Sequence, residues 1–414
     1  MSSDSVRINT DIAIIGGGIA GLMLQARLNN LGYSTVLLEQ TALGSGQTLK
    51  AQGIIHGGIK YALLGQLTQS ARAISLQPKI WSSYLTNNPL SNNHLNLAAT
   101  KILSTHHDLW NNGNLKNQLK QMLMQKTLSS QGEKLDCHNP NYPNIFKNKQ
   151  FRGSIYQINE TVIDMSSLIF NLAQLNQNKI IKIDQDSLKI DLNKSDKYLN
   201  YLTFTQDNRA CIIKAQQYVF TSGQNNSEIL DLIPELPKMQ LRPLHMVLAK
   251  FPEPNILYGH YIGSSMLPEL TVTTHYSHYS HYSHDNNTIW YLGGKIAETG
   301  INLTQDEQIK QAKSTISKIF PWLDISHWQW SSFFIDRAEP LQPDGSRPDQ
   351  ACFSACNNTI VAWPIKMALA PMLCDKIINY FEQNNITNIQ EQINSKNYNL
   401  QAPLIAKPIW DELI

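Results

Sequence analysis

The stretch that decides the fold is Asp11–Glu39, DIAIIGGGIAGLMLQARLNNLGYSTVLLE. It opens with the apolar run Ile12–Ile15, which predicts a buried parallel strand, and a glycine-rich turn follows directly. Further apolar residues recur with helical spacing up to Gly32, a favourable residue just beyond a helix C-terminus. A second apolar run, Thr35–Leu38, predicts another strand that ends at Glu39. The stretch therefore predicts a strand–turn–helix–strand unit.

Within this unit, Gly16, Gly18 and Gly21 form a G-x-G-x-x-G motif. The first glycine allows the tight turn, the second lets backbone approach a diphosphate, and the third lets the helix pack close to the strand. The helix N-terminus offers N–H groups and the positive end of its dipole to phosphates. Glu39 can accept hydrogen bonds from ribose hydroxyls, which disfavours NADP. The motif predicts a dinucleotide site rather than a merely structural turn.

The composition restricts the function classes. The chain has 414 residues, 42% of them hydrophobic, which is enough for two domains or one large domain. Its 34 basic and 32 acidic residues give a net charge of +2, which argues against a nucleic-acid partner. Its five cysteines are not paired with histidines at metal-ligand spacing, and no secretory signal is recognised, so we expect a reduced, cytoplasmic setting. No apolar run reaches the roughly eighteen residues of a membrane span.

A second glycine-dense segment, Thr41–Leu63, follows the unit. Its small residues Gly44, Ser45, Gly46 and Thr48 can bring backbone N–H groups beside phosphates or a flat ring. The alternative is a glycine-rich surface loop, but the isoleucines of GIIHGGIKY make the segment too apolar for that. The segment therefore predicts a further contact with the cofactor.

Together these motifs resemble the FAD-dependent oxidoreductases of the D-amino-acid oxidase superfamily. The resemblance rests on GGGIAG, the acidic strand end, GSGQT and GIIHGGIKY. HGGIKY is most similar to the His-Gly-Gly-(Leu/Ile)-Arg-Tyr signature of FAD-dependent glycerol-3-phosphate dehydrogenases, and it also resembles the corresponding segment of L-2-hydroxyglutarate oxidases. Lys60 stands where that signature has arginine, and lysine cannot form the bidentate fork. The resemblance implies FAD as the cofactor.

Later segments resemble the places where the superfamily chain returns to the flavin. They are Gly153–Asp164, Gln217–Asn225, Phe333–Asp349 and Thr359–Ile378. With the glycine turn, they imply the following cofactor-binding residues: Gly16, Gly18, Ile19, Ala20, Gly21, Glu39, Gln40, Gly44, Ser45, Gly46, Thr48, Gln52, Gly53, Ile54, Val162, Ser222, Gly223, Arg337, Pro364, Ile365, Lys366 and Met367.

Arg337 occupies the arginine position of the superfamily's Gly-x-Arg-Pro…Pro-Asp-Gly segment. In that family the arginine commonly clamps a substrate carboxylate or phosphate, and a planar, permanently charged fork suits an oxyanion. The structural alternative is a salt bridge to Asp336, Glu339 or Asp344. We interpret Arg337 as a substrate residue.

Lys366 matches the lysine of a Gly-Lys-Leu-Thr turn in the glycerol-3-phosphate branch. Trp363 and Pro364 replace the glycines that normally precede it. A helix N-terminus reinforced by a cation would stabilise negative charge on the reduced flavin, so we expect Lys366 to tune the ring. The alternative is an exposed lysine at a helix start.

Two histidine-bearing segments leave alternatives open. His245 lies on a strand-like run and is either a base facing the flavin or a hydrogen-bonded structural histidine. His275–His284, HYSHYSHYSH, is a tandem repeat, but an extended repeat without carboxylate or cysteine support is poor metal-ligand geometry. We therefore predict an exposed hairpin loop there and no metal site.

Helix signals mark three further segments. Asp164 is a natural N-cap, and Thr304 and Glu307 have the capping-box spacing. Leu115–Leu128 is a basic amphipathic helix, which we interpret as solvated with one core-facing side. Contact with a membrane surface or a partner is the open alternative, which would make the protein peripheral at the inner face of the membrane.

The expected architecture is an α/β fold with α+β insertions. A Rossmann-type FAD-binding domain is assembled from residues 1–90, 150–230 and 333–414. A substrate domain with a mixed or antiparallel sheet takes residues 91–149 and 231–332.

The expected activity is oxidation of a small anionic substrate, a 2-hydroxy acid or polyol phosphate, by hydride transfer to flavin N5. Arg337 and Lys60 would hold the anion, Tyr61 would line the pocket, and His56 is a candidate proton acceptor or flavin neighbour. One alternative is an amine or D-amino-acid oxidase of the glycine or sarcosine type. Another is a non-catalytic, flavin-binding accessory subunit. The electron acceptor, whether oxygen, quinone or a protein, leaves no clear residue signature.

Overall fold

The computed structural model describes residues 5–57, 74–90, 93–113, 132–263, 268–276 and 287–414. The strands in this part of the chain are β1 (Val6–Ile15), β2 (Thr35–Glu39), β3 (Ile102–Ser104), β4 (His107–Asn111), β5 (Gly132–Lys134), β6 (Ser154–Ile158), β7 (Val162–Ile163), β8 (Ile180–Lys182), β9 (Lys189–Leu192), β10 (Leu199–Gln206), β11 (Arg209–Phe220), β12 (Met239–Phe251), β13 (Gly259–Tyr261), β14 (Leu270–Tyr276), β15 (Thr288–Gly293), β16 (Gln329–Pro340), β17 (Cys352–Cys356) and β18 (Thr359–Trp363).

The α-helices of the described residues are α1 (Ile19–Asn30), α2 (Gln77–Leu85), α3 (Met165–Leu175), α4 (Asn226–Leu232), α5 (Lys295–Thr299), α6 (Gln305–Ile319), α7 (Ala370–Gln383) and α8 (Trp410–Leu413). Short 3₁₀ helices lie at Asn144–Lys147, Gly223–Asn225, Gly300–Asn302, Met367–Leu369 and Ser395–Tyr398. None of the described helices combines the length and apolar character needed to cross a bilayer.

The first sheet has the strand order β17-β18-β11-β1-β2-β8, and β10 and β9 extend it beyond β11. β1 pairs in parallel with both β2 and β11, and β8 and β18 continue the parallel run on either side. Since α1 leads from β1 to β2 on one side and β11 lies on the other, the connections diverge at the carboxyl ends of β1 and β11. An open α/β sheet forms its ligand crevice at such a point.

The first strand starts at Val6, earlier than the apolar run from Ile12 indicates. In its first half Val6 and Ile8 are buried, whereas Arg7 and Asn9 are exposed. A half-buried strand alternates apolar and polar residues, and only a strand covered on both faces is continuously apolar. The apolar run therefore marks the doubly covered half of β1.

The second sheet has the order β16-β12-β15-β14-β13-β4-β6-β5 and is antiparallel except between β13 and β4. One face packs against α6 through an aromatic-rich core that includes Val247, Trp290 and Ile316. The opposite face carries residues such as Met246 and Tyr291, and it faces the first sheet. The space between the two sheets is therefore lined by backbone ends on one side and by side chains on the other.

The predicted fold class is confirmed, and so are the two predicted caps. Asp164 accepts a hydrogen bond from the Ser167 amide at 2.7 Å, and Thr304 and Glu307 form a complete capping box at the start of α6. Strands β6 and β16 belong to the second sheet, although the predicted boundaries put them largely with the FAD-binding segments. The domain boundaries themselves stay a prediction. The predicted helix Leu115–Leu128 lies outside the described residues.

Candidate functional site: the cleft between the two sheets

The glycine turn lies between β1 and α1, at the edge of the first sheet where the connections to neighbouring strands diverge. Gly16 has φ +111°, and a Cβ there would lie 2.8 Å from the Thr221 backbone at the end of β11. The Thr221 hydroxyl donates to the Gly16 carbonyl at 3.0 Å, and its amide donates to Ile15 at 2.8 Å. A Cβ on Gly21 would collide with the Gly16 carbonyl oxygen. Gly16 and Gly21 thus have the turning and packing tasks that the motif predicts.

Glu39 lies at the end of β2, beside this turn. One carboxylate oxygen accepts the Gly17 amide at 2.7 Å, and the other accepts the Thr41 amide at 2.8 Å. The second oxygen also accepts the Thr41 hydroxyl at 2.8 Å, so the oxygen that faces Gly17 is the one with a lone pair left for a ligand hydroxyl. Glu39 therefore orders the glycine turn as well as lining the cavity beside it.

A cavity of about 830 Å³ runs from the glycine turn to the second sheet. This volume lies within the range of about 300–1,000 Å³ typical of ligand sites. Most of the residues that the sequence predicts for the cofactor line it: Gly16, Gly18, Ile19, Ala20, Glu39, Gln40, Ser45, Gly46, Thr48, Gln52, Ser222, Gly223, Arg337, Pro364, Ile365, Lys366 and Met367.

Five predicted cofactor residues lie outside this lining: Gly21, Gly44, Gly53, Ile54 and Val162. Gly21 faces the strand end, and the Gly44 amide donates to Gly17 at 3.0 Å. Ile54 and Val162 form an antiparallel bridge, and Gly53 packs against Ile163 behind the cavity. We interpret these residues as packing support for the cavity wall, because they contact other parts of the protein and do not line the cavity.

The second sheet supplies lining residues that the sequence analysis does not identify, including Leu244 and Met246 on β12 and Phe334 and Ile335 on β16. Leu244 pairs with Ile335, so both side chains project from the same face. The alternating strand pattern marks one face as buried, but it does not indicate that this face lines a ligand site. Only the packing of the two sheets decides that.

Arg337 projects into the cavity opposite Arg242, its cross-strand partner. Arg242 makes a bidentate ion pair with the buried Glu339, at 2.8 and 3.1 Å. Arg337 instead donates from Nε to the Arg242 carbonyl at 3.3 Å, and no carboxylate of the described residues forms an ion pair with it. Burial, together with the charge of Arg242, lowers the pKa of Arg337 to about 10. The side chain is still charged at neutral pH, and the structural alternative, a salt bridge to Asp336, Glu339 or Asp344, is not formed.

Lys366 lies where β18 passes through a turn into α7, immediately before the 3₁₀ helix Met367–Leu369. The preceding residue, Ile365, has φ +64°. A β-branched residue in this left-handed region is strained by about 1–2 kcal/mol. The turn is therefore made without the usual glycines at the cost of local strain beside the cavity, as is common at functional sites.

His56 lies outside the cavity lining. Its Nδ1 is 3.1 Å from Oε2 of Glu160, which is buried. Burial raises the pKa of Glu160, but the charge and hydrogen bond of His56 outweigh it, so the pKa lies below its usual range. Lys60 and Tyr61, the other candidates from the same motif, lie outside the described residues.

Two other histidines are structural. His245 is fully buried, with Nδ1 2.9 Å from the Gly300 carbonyl and Nε2 3.0 Å from the Ser332 hydroxyl, so it does not face the cavity as a base. His275, the first histidine of the repeat, is buried rather than exposed, and its ring stacks on Trp410 at 4.3 Å. The rest of the repeat, from residue 277, lies outside the described residues.

The cavity suits a dinucleotide. At one end, glycines without side chains and the N-terminus of α1 leave room for a diphosphate. The Thr48 hydroxyl accepts the Ile19 amide at 3.1 Å, so a small polar side chain completes the helix start there. At the other end, Arg337 and Lys366 provide positive charge beside an apolar wall.

Comparisons with known proteins agree with this geometry. The family model for FAD dependent oxidoreductases (DAO) matches residues 11–361. PA4991 of Pseudomonas aeruginosa, described as a probable FAD-dependent oxidoreductase, is 37% identical over 406 residues, covering 98% of each chain. Its crystal structure superposes with a TM-score of 0.79 at 33% identity, covering 100% of this chain and 99% of that one.

More distant structures share the fold. L-α-glycerophosphate oxidase from Mycoplasma pneumoniae has a TM-score of 0.63 at 12% identity, covering 93% of this chain and 96% of its own. Glycine oxidase from Geobacillus kaustophilus has a TM-score of 0.62 at 12% identity, covering 95% and 98%. The extent of the family match and the close relative lead to one conclusion: this chain belongs to the FAD-dependent oxidoreductases of the DAO family.

Proposed function

We propose that this enzyme oxidises a small substrate that carries a carboxylate or phosphate, at a carbon bearing a hydroxyl group. A 2-hydroxy acid or a polyol phosphate fits this description. The observation that carries the proposal is Arg337, a partly buried guanidinium in the cavity wall that makes no ion pair with the described carboxylates. Glu339 and Glu298 act on it only at a distance, and a partly buried cation without a direct ion pair favours an anionic ligand.

The residues of the first sheet would hold the cofactor. The glycine turn and the N-terminus of α1 fit its diphosphate, and Glu39 fits a ribose hydroxyl. Bound FAD supplies the two-electron acceptor. Lys366, which follows β18 of the first sheet and lines the cavity, would favour negative charge on the ring.

The residues of the second sheet would orient the substrate. Arg337 would bind the anionic group through its planar fork. Leu244 and Met246 form an apolar wall that excludes water from the carbon to be oxidised. Holding the anion at one fixed point places that carbon at a constant distance from the cofactor, and this positioning is a large part of catalysis.

The test is anaerobic bleaching of the bound flavin with a panel of substrates. The panel contains glycerol 3-phosphate, both enantiomers of several 2-hydroxy acids, glycine, sarcosine and D-amino acids. Bleaching by a hydroxyl-bearing anion supports the proposal. Bleaching only by the amines points to an amine oxidase, and no bleaching by any member points to an accessory flavoprotein.

The role of Arg337 has its own test. Arg337→Met should lower kcat/KM for the active anion about 10- to 100-fold, because a charge-assisted hydrogen bond contributes about 1.5–3 kcal/mol. Arg337→Lys should recover part of the loss. Arg209→Met is the control, since Arg209 is exposed and donates to the Tyr398 carbonyl, away from the cavity. An unchanged kcat/KM in Arg337→Met would refute the assignment.

A further inference from the structure

A second group of polar side chains lies on the same face of the second sheet, outside the cavity lining. His260 on β13, Glu160 in the turn between β6 and β7, and His56 each offer one ligand atom, and these three atoms all lie within 4.8 Å of one another. Glu160 and His260 are buried, and the His56 side chain is one-third exposed. The group is therefore inside the protein but reachable from one side.

We propose that His56, Glu160 and His260 bind a divalent transition-metal ion of the zinc class. Two imidazoles and one carboxylate are the protein ligands of one class of tetrahedral zinc site, in which water or substrate takes the fourth position. Magnesium and calcium prefer oxygen ligands alone, so the two histidines argue against them. The proposal does not depend on the proposed substrate.

The spacing of one pair of the ligand atoms fits such an ion. The His56 Nδ1 and Glu160 Oε2 atoms are 3.1 Å apart. Two ligands at about 2.0–2.1 Å from a tetrahedral zinc ion are separated by about 3.3 Å. These two atoms could therefore share one ion without moving by more than a few tenths of an ångström.

Each of the two buried ligands also has a second contact within the protein. The Gly57 amide donates to Oε1 of Glu160 at 2.7 Å, and Nδ1 of His260 is 2.8 Å from the Thr271 hydroxyl. Protein metal sites commonly orient their ligands in this way, through the atom that does not bind the metal. With Nδ1 of His260 and Oε1 of Glu160 in these contacts, we assign Nε2 of His260 and Oε2 of Glu160 to the metal.

A neighbouring histidine adds to the polar character of this region. His107 on β4 is fully buried, and its ring centroid is 4.3 Å from that of His260. Its ring also interacts with the backbone of Gly259 on β13. The three proposed ligands therefore lie beside a further buried imidazole of the second sheet.

The competing explanation is an ordinary buried His–Glu pair that anchors the segment around Gly57. A second His–Glu pair serves as a comparison. His327 and Glu253 are 2.7 Å apart, but both side chains are exposed, and in the described part of the chain neither belongs to a group of potential metal ligands. His327→Ala is therefore the matched control for loss of a histidine from a His–Glu pair.

The experiment uses the FAD-loaded full-length protein with His278, His281 and His284 replaced by Ala, so that the repeat cannot contribute. After treatment with a chelator, Zn²⁺ is titrated calorimetrically, and Co²⁺ is titrated by its visible absorption. We expect one equivalent to bind. His56→Ala should weaken binding by more than the about 10- to 100-fold that follows loss of an outer contact, whereas His327→Ala should leave it unchanged.

Thr271→Val keeps all three ligands and removes only the outer contact to His260. It should weaken Zn²⁺ binding about 10- to 100-fold with the flavin content unchanged. This variant keeps the test decisive if a ligand variant does not fold. Absence of stoichiometric binding, or binding that is equal in His56→Ala, Thr271→Val and the parent, would overturn the proposal.

Discussion

The two sheets of this protein build their sides of the cleft in different ways. The first sheet has a parallel centre and contributes backbone: two strand ends, a glycine turn and a helix N-terminus, all within Ile12–Ile19 and Phe220–Gly223. The second sheet is antiparallel and contributes side chains from neighbouring strands, such as Arg337 on β16 and Met246 on β12. A backbone site is encoded in short continuous motifs, whereas a side-chain site depends on strand register.

The same contrast exists between two buried aspartates, one in each sheet. The Asp11 carboxylate on β1 accepts hydrogen bonds from the amides of Ser34, Ile389 and Gln390, at 2.8–3.0 Å. Asp108 on β4 is equally buried, but its Oδ1 atom has no partner among the described residues. Burial raises the pKa of Asp108 to about 8. The first sheet surrounds its buried carboxyl group with N–H donors, whereas burial in the second sheet favours the protonated form of Asp108.

The largest effect is expected in the second sheet. Arg242→Met removes the partner of Glu339, which is 1% exposed, and leaves a buried carboxylate unpaired. The free energy of unfolding should fall by about 3–5 kcal/mol. Arg337→Met, its cross-strand neighbour, removes a cation without breaking an ion pair of the described residues and should cost less than about 1 kcal/mol. Urea unfolding of both variants measures the difference, and equal losses would contradict the assignment of the ion pair.

In the first sheet, the corresponding test is a single methyl group at the glycine turn. Gly21→Ala puts a Cβ against the Gly16 carbonyl, so the turn must open. We expect a loss of about 1–3 kcal/mol in unfolding free energy and loss of bound flavin. Gly46→Ala is the control, because a Cβ there meets nothing within 4 Å although Gly46 also lines the cavity. The ratio of flavin absorbance to protein concentration measures the bound flavin. Equal flavin content in the two variants would refute the packing argument.

Replacing either aspartate by asparagine should change the free energy of unfolding, with opposite signs at the two positions. Asp11→Asn loses a charged acceptor of several N–H groups and should destabilise the protein by about 2 kcal/mol at pH 7. Asp108→Asn should stabilise it at pH 8, because folding no longer requires an acid to stay protonated.

The pH dependence follows from the direction of the shift. Unfolded Asp108 releases its proton above its ordinary pKa of 3.8, whereas the folded protein keeps it up to about 8. The contribution of Asp108 to the free energy of unfolding is therefore largest below pH 3.8 and falls as pH rises from 3.8 to about 8. Between pH 5 and 8 the parent should lose at least about 1 kcal/mol relative to Asp108→Asn, measured by urea unfolding. Parallel pH profiles would show that Asp108 is ionised in the folded protein.

The smallest effect is expected at the start of α6, the helix that covers the far face of the second sheet. Thr304→Ala removes the side chain of the capping box and should cost about 1 kcal/mol. Ser314→Ala, at an exposed position inside the same helix, should change stability by less than about 0.5 kcal/mol. Thermal unfolding of both variants measures the difference. If the two unfolding temperatures shift by the same amount, the capping box does not stabilise the helix.

Sequence patterns predict the parts of this site that depend on chain neighbours. The turn at Gly16, the C-terminal Gly32 of α1, the Asp164 cap and the capping box of Thr304 are all confirmed, because each depends on residues a few positions apart. The same patterns place Gly53, Ile54 and Val162 at the cofactor, whereas the structure places them in the wall behind the cavity. A motif indicates that a segment approaches the site, but not which of its residues face it.

The sequence by itself determined a parallel strand–turn–helix–strand unit, its dinucleotide motif and its family, because those features are local and each requires particular residue types at particular spacings. Only the tertiary structure decided that Arg337 faces the cavity while Arg242 pairs with Glu339, and that His56, Glu160 and His260 meet. The physical reason is strand pairing: register and sheet packing bring residues that are far apart in the chain, 97 positions for Arg242 and Glu339, into contact, and no periodicity along the chain records those partners.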